Sequence, residues 1–184
     1  MIQSVHIRPA RADDAAAIAR VHVDSWRTTY VGIVPDEHLA NLSYESSERR
    51  WHEWLAALDN AAFVCVAETA RGQIMGFASG GAERENSPVY QGEMYALYLL
   101  KEYQRRGIGR QLVATVARRL QQDGFATMLI WVLAENPACA FYAALGGMPA
   151  REKMVTIGGK ELREIGYGWE DLEGFTPRSQ SVAT

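Results

Sequence analysis

Leu97-Tyr98-Leu99-Leu100-Lys101-Glu102-Tyr103-Gln104-Arg105-Arg106-Gly107-Ile108-Gly109-Arg110-Gln111-Leu112 is an apolar run, a turn with two glycines, and the start of a helix. Ile108, Leu112, Val116 and Leu120 then recur on one helical stripe, and Gly124 closes the helix at the usual C′ position. The first N–H groups of a helix have no internal partners and the helix dipole favours negative charge, so this junction is an anion site in waiting. Gly107 and Gly109 let the backbone approach a phosphate without a Cβ in the way, and Lys101, Arg105, Arg106 and Arg110 gather positive charge there.

Two familiar phosphate loops do not fit. A dinucleotide fingerprint wants a third glycine where Leu112 stands, although Glu135 lies near the expected acidic position. A P-loop wants four residues between its glycines and then Lys-Ser or Lys-Thr. A bare Gly-x-Gly turn with solvated arginines remains the plain structural alternative.

Outward from the turn, Val89 to Leu100 reads as a long strand region, with an edge or bend near Pro88. Downstream, Met128-Leu129-Ile130-Trp131-Val132-Leu133 is the apolar run of a buried central strand. Strand, helix and strand in that order predict a right-handed crossover with the two strands parallel. Asn136 caps the next helix, with Pro137 at its first position and Gly146-Gly147 after its end.

Towards the N-terminus, Val5 to Arg8 reads as a strand ended by Pro9, and Asp13 or Asp14 caps a helix carrying Ile18, Val21 and Trp26. Pro35 starts a short helix through Leu39, and a third helix from about Ser47 carries Trp51, Trp54, Leu55 and Leu58 on one face. Ala62–Thr69 and Ile74–Ser79 are strands about a turn at Gly72, and strands near Met154–Ile157 and Leu162–Trp169 flank Gly158-Gly159. The expected architecture is α+β: a mixed, mostly antiparallel sheet with a central parallel pair and helices on both faces. Residues 1–173 read as one domain, and 174–184 as a polar, disordered tail.

The chain has 184 residues, 48% apolar and 22% charged, with a net charge of −3. At this length roughly 70% of the unfolded surface is buried, enough for a core without disulfide or metal. The charge gives no reason to expect a nucleic-acid partner. Cys65 and Cys139 stand in apolar stretches without a metal-ligand neighbour, so zinc is discarded. The N-terminus lacks the cationic and apolar segments of a signal peptide, and no window approaches 18 consecutive apolar residues, so a cytoplasmic, membrane-free protein is expected.

The segment Leu97–Leu112 resembles the acyl-CoA-binding motif of the GNAT superfamily of N-acetyltransferases: a hydrophobic strand, Gln/Arg-x-x-Gly-x-Gly/Ala, then a helix. A second family block appears in Asn136-Pro137, Phe141-Tyr142 and Leu145-Gly146-Gly147, and Ile7-Arg8-Pro9-Ala10 resembles the family's opening strand. The resemblance spans roughly residues 5 to 172. Lys101 departs from it, since the family usually has proline or serine there.

The resemblance implies acetyl-CoA as co-substrate and no metal. Gln104, Arg105, Arg106, Gly107, Ile108, Gly109 and Arg110 would cradle the pyrophosphate. Backbone groups of Leu97 and Leu99 would pair with the pantetheine arm, with Phe141 beside it. Asn136 would hold the arm, or else serve only as a helix cap.

Acetyl transfer to an amine needs a base for the ammonium, an acid for the departing thiolate and an N–H directed at the thioester oxygen. Tyr142 matches the family tyrosine that approaches the sulfur; without that match it reads as a core residue beside Phe141 and Leu145. Glu93, eleven positions before Gln104, stands where some members carry a catalytic glutamate; otherwise it is a solvated strand-end charge. Alternation puts Glu93, Tyr95, Leu97 and Leu99 on one face.

Trp26, Tyr30, Tyr44, Trp51 and Trp54 cluster where this fold forms its acceptor wall; Trp26, Tyr30 and Tyr95 are taken as acceptor-lining, Trp51 and Trp54 as packing. His6, His22, His38 and His52 have no paired spacing with carboxylates or serines, though His22 and Asp24 lie on the helix where acceptors often bind. A small-molecule amine is the expected partner, and a homodimer is left open. The competing readings are a protein N-terminal or lysine acetyltransferase, and a catalytically silent acyl-CoA-binding module.

Overall fold

A computed structural model describes residues 5–57, 62–173 and 175. The alternating first segment forms β1 (Val5–Pro9), followed by a short 3₁₀ turn at Ala12–Asp14. Three helices come next, α1 (Ala15–Thr29), α2 (Asp36–Ala40) and α3 (Tyr44–Ala57). The chain then enters β2 (Ala62–Thr69), β3 (Ile74–Ala82) and β4 (Gly92–Leu99). The crossover helix α4 (Ile108–Gln122) leads to β5 (Met128–Leu133), and α5 (Ala138–Ala144) to the hairpin of β6 (Met148–Ile157) and β7 (Lys160–Trp169).

These strands make one seven-stranded sheet in the order β1-β2-β3-β4-β5-β7-β6. Every neighbouring pair is antiparallel except β4 and β5, which the α4 crossover makes parallel. The expected α+β class is found.

Each face of the sheet has its own core because side chains alternate across a strand. On the α4 face, Phe63, Met75, Met94, Met128 and Ile130 pack under Ile108, Leu112, Val116 and Leu120, with Tyr142 and Trp169 at one end. On the opposite face, Ile18 and Val21 of α1 and Trp51 of α3 cover Val64, Val66 and Phe77. A third cluster joins Tyr30, Val34 and Leu39 to Leu133 and Leu162.

Element ends differ from the sequence reading for physical reasons. Asp14 does not cap α1: its carboxylate accepts the Arg11 N–H at 2.7 Å and pairs with Arg8 at 2.7 and 3.0 Å. β6 reaches back to Met148, six residues before the expected start. It is an edge strand, so it can be polar and carry Pro149 without losing its pairing. Leu58 and the expected tail, apart from Phe175, lie outside the described residues.

Candidate active site

At the turn, Gln104 is extended, Arg105 has φ +61° and Gly107, the cap of α4, has φ +80°. Gly107 faces open space, whereas a Cβ on Gly109 would stand 3.3 Å from the Phe141 ring. The turn therefore closes tightly on α5 at Gly109 and stays open at Gly107. The leading N–H groups of a fifteen-residue helix, with Lys101, Arg105, Arg106 and Arg110 exposed around them, fit a pyrophosphate.

The sheet opens beside this turn. β4 and β5 share only the rungs Gly92↔Met128 and Glu93↔Leu129, and beyond Glu93 the edge of β4 facing β5 carries no strand. The Leu100 N–H bonds Met75 on the β3 side, so by alternation the peptide groups of Leu99 and Leu97 face the open edge. Gln104 reaches back to that edge, its Nε2 donating to the Leu99 carbonyl at 3.0 Å. An extended ligand arm could add to β4 here as a strand does.

One expectation is overturned. Gly80 pairs with Met94 but Ser79 pairs with Ala96, so Tyr95 is an extra residue in a β-bulge. Past the bulge the faces exchange: Leu97 and Leu99 join Met94 in the α4 core, while Ala96 and Tyr98 pack on the α1 side. Glu93 therefore does not share a face with Leu97 and Leu99. Tyr98, passed over in the sequence, packs on the α1 side against Phe77 and His22.

Three phenols meet near the opening. Tyr98 Oη accepts from Trp26 Nε1 at 2.9 Å, and Tyr30 Oη accepts from Asn136 Nδ2 at 3.2 Å. Asn136 Oδ1 also accepts the Ala138 N–H at 2.9 Å, so it caps α5 and braces α1 together. Tyr142, 4% exposed, is wedged among Phe141, Tyr167 and Trp169. Burial, then the neighbouring Tyr30 and Cys139, raise its proton affinity well above that of a free phenol. Burial raises Tyr98 and Tyr30 likewise.

Glu93 is not a solvated charge; it is 1% exposed. Its Oε2 accepts the Arg84 backbone N–H at 3.2 Å and Arg84 Nε at 3.1 Å, and its Oε1 accepts Arg84 Nη2. The guanidinium lies 4.2 Å from the Tyr95 ring centroid, and Tyr95 Oη donates to the Ala82 carbonyl at 2.7 Å. Beyond Glu93, Lys153 bridges Glu85 and Glu164 with its ammonium 4.0 Å from the Trp131 centroid. Burial raises the Glu164 carboxyl, opposed by Lys153 and assisted by Glu85 and Glu93. Arg84, Trp131, Lys153 and Glu164 carry no motif; the pairing of β5 with β7 and of β7 with β6 assembles the last three, and Arg84 joins them from the loop after β3.

The N-terminal aromatics divide. Trp26 and Tyr30 stack at 4.6 Å beside the cleft, whereas Trp51 packs edge-on against Phe77 and Trp54. Tyr44 is exposed at the α1–α3 surface. His22 is enclosed by Trp26, Trp51, Phe77 and Tyr98. Burial, then Arg50, push it down to about 4. Among the described residues no group of three His, Cys, Asp or Glu could hold a metal, and no helix is long and apolar enough to cross a membrane.

The comparisons agree with this geometry. The profile of the Acetyltransferase (GNAT) family matches residues 17–147. The chain is 43% identical to the uncharacterized N-acetyltransferase YuaI of Bacillus subtilis over 93% of its own length and 96% of the relative's. It is 24% identical to the spermidine N(1)-acetyltransferase of Thermoplasma acidophilum, over 72% and 81%. Among solved structures, YncA from Salmonella typhimurium with its cofactor acetyl-CoA superposes with a TM-score of 0.70 at 20% identity, covering 96% of this chain and 98% of that one. The split β4–β5 pair, the glycine turn and the matched profile lead to one conclusion: the chain belongs to the GNAT family of acetyltransferases.

Proposed function

We propose that this enzyme moves an acetyl group directly from acetyl-CoA to an amine of a small molecule, with Glu93 as base and Tyr142 as acid. The observation that carries the reading is the opening of the sheet after Glu93, with a buried carboxylate on one face and a buried phenol approaching from the other. Bound acetyl-CoA supplies an activated acyl carbon and a thiolate leaving group. Gln104, Arg105, Arg106, Gly107, Ile108, Gly109 and Arg110 hold its pyrophosphate, and the free edge at Leu97 and Leu99 holds its arm beside Asn136 and Phe141.

Glu93 takes a proton from the acceptor ammonium, leaving a neutral nitrogen to form the new N–C bond. Peptide N–H groups on the unpaired edge of β4 steady the thioester oxygen. Tyr142 gives a proton to the sulfur as the C–S bond breaks, which a phenol can do because it stays protonated at neutral pH, and the proton that the acylated nitrogen sheds restores the phenol. Trp26, Tyr30 and Tyr95 line the acceptor's approach.

Two observations favour a small acceptor over a polypeptide. The β6–β7 turn rests on the α1–α2 connection, where Lys160 Nζ donates to the Ile33 carbonyl at 2.7 Å and Gly158 lies against His38 and Pro35, a contact that would narrow the approach for a polypeptide. A relative carries the name spermidine N(1)-acetyltransferase, a small polyamine's enzyme. The test is CoA release with polyamines, amino-acid amides, a lysine peptide and a peptide with a free N-terminus. Turnover confined to the peptides would reverse the assignment, and none with any amine would return the chain to a binding module.

A further inference from the structure

We infer that Arg84 is a positioning residue for the transfer reaction: it clamps the Glu93 carboxylate, fixes its plane and selects which oxygen receives the proton. This rests on the base role proposed for Glu93.

Glu93 has 2% of its side chain exposed, and Arg84 58%, so the guanidinium lies between the carboxylate and solvent. A buried carboxylate without a partner would take up a proton and lose its basic form. Arg84 is that partner, with parallel bonds from Nε and Nη2, the fork geometry that a lysine cannot reproduce. Its own backbone N–H adds a third bond, to Oε2. Oε2 thus has both acceptor positions filled and Oε1 has one open, so Oε1 is the proton's destination.

The arginine is itself held. Its guanidinium stacks on Tyr95, the extra residue of the bulge, whose hydroxyl is tied to Ala82 at the end of β3. The bulge and the loop after β3 together aim the clamp. The other charged groups facing Glu93 are Glu85 beside Arg84, Glu164 on β7, and Lys153 on β6 between those two carboxylates.

The experiment compares wild type, Arg84→Gln, Arg84→Lys, Glu93→Gln and the Glu93→Gln/Arg84→Gln double variant. It reads kcat/KM against pH with the fastest amine of the panel above, and ¹³C NMR titration of glutamate-labelled protein, the Glu93 signal being identified by its loss in Glu93→Gln. In Arg84→Gln the acid limb and the Glu93 signal both move to higher pH, by about one to three units. Arg84→Lys keeps the charge and recovers most of the pH position but not the full kcat. The double variant is no slower than Glu93→Gln alone. An unmoved limb and signal in Arg84→Gln would overturn the inference, as would the same fold-loss in the Glu93→Gln background. If no amine turns over, the function proposed above fails, while the NMR titration still decides what Arg84 does to Glu93.

Discussion

Asn136 Nδ2 donates to Tyr30 Oη at 3.2 Å, tying the cap of α5 to the end of α1 across 106 positions of sequence. Both residues are buried, so Tyr30→Phe strands an amide N–H at a cost of about 1–3 kcal/mol. At roughly 2–4 °C per kcal/mol for a chain of this size, the melting temperature falls by several degrees. If Tyr30 also lines the acceptor's path, KM for the amine rises while acetyl-CoA affinity holds; calorimetry and steady-state kinetics read the two effects separately.

Tyr142→Phe is expected to lower turnover by about 10²–10⁴-fold, the usual worth of a positioned proton donor. The ring packs on as before against Phe141, Tyr167 and Trp169, so fold and acetyl-CoA affinity hold. Wild-type turnover in this variant would leave Tyr142 a packing residue.

Glu93→Gln keeps the size of the side chain and removes its basic oxygen. The rate falls most near pH 7, and the deficit shrinks as the pH approaches that of the free amine, which needs no base. A variant-to-wild-type ratio near one at every pH would remove Glu93 from the chemistry. A raised KM with unchanged kcat would make it a cation-binding group instead.

Acetyl-CoA at a hundred times its Kd should stabilise the protein by about 2.7 kcal/mol and raise its melting temperature by roughly 5–10 °C. Gly107→Val removes that shift. Position 107 is left-handed, φ +80°, so the branched side chain strains the cap of α4 even though the space around it is open. A folded variant that still shows the full shift would place the pyrophosphate elsewhere.

His22, pushed down to about 4 in the fold, has an ordinary value of 6.5. Between those values the unfolded chain binds the extra proton. Stability is therefore complete above about 6.5 and lost as the pH falls towards 4, on the order of 3 kcal/mol in all. Asp14, whose carboxyl Arg8 lowers below its ordinary 3.8, acts in a more acid range. Denaturant titrations from pH 7 to 4 should show a smaller decline in His22→Asn than in wild type.

The glycine turn into α4, the proposed phosphate seat, was legible as a turn because its requirements are local: two glycines, a capped helix and cations within a dozen residues. The apolar run of β5 and the stripe of α4 were legible for the same reason. Around Glu93, which the sequence did single out, the neighbours were not legible, because Arg84, Trp131, Lys153 and Glu164 come from four separate segments that only the fold brings together. The bulge was hidden too: strict alternation from Glu93 to Leu99 is the simplest reading of that strand, and nothing in Tyr95 marks it as supernumerary. β6 showed only its last residues, since an edge strand bearing Arg151, Glu152 and Lys153 has no apolar run to announce it.

The extra residue at Tyr95 makes β4 two reading frames spliced end to end. On the function proposed above, positions before it answer to the acceptor and the peptide groups after it to the donor, while Leu97 and Leu99 are committed to the core. Substitutions can therefore drift in one half without disturbing the other, so the amine preference of such a chain can be rewritten while its coenzyme seat stays constant. Deleting residue 95 would merge the frames, and Glu93 and Leu97 could no longer both keep their places.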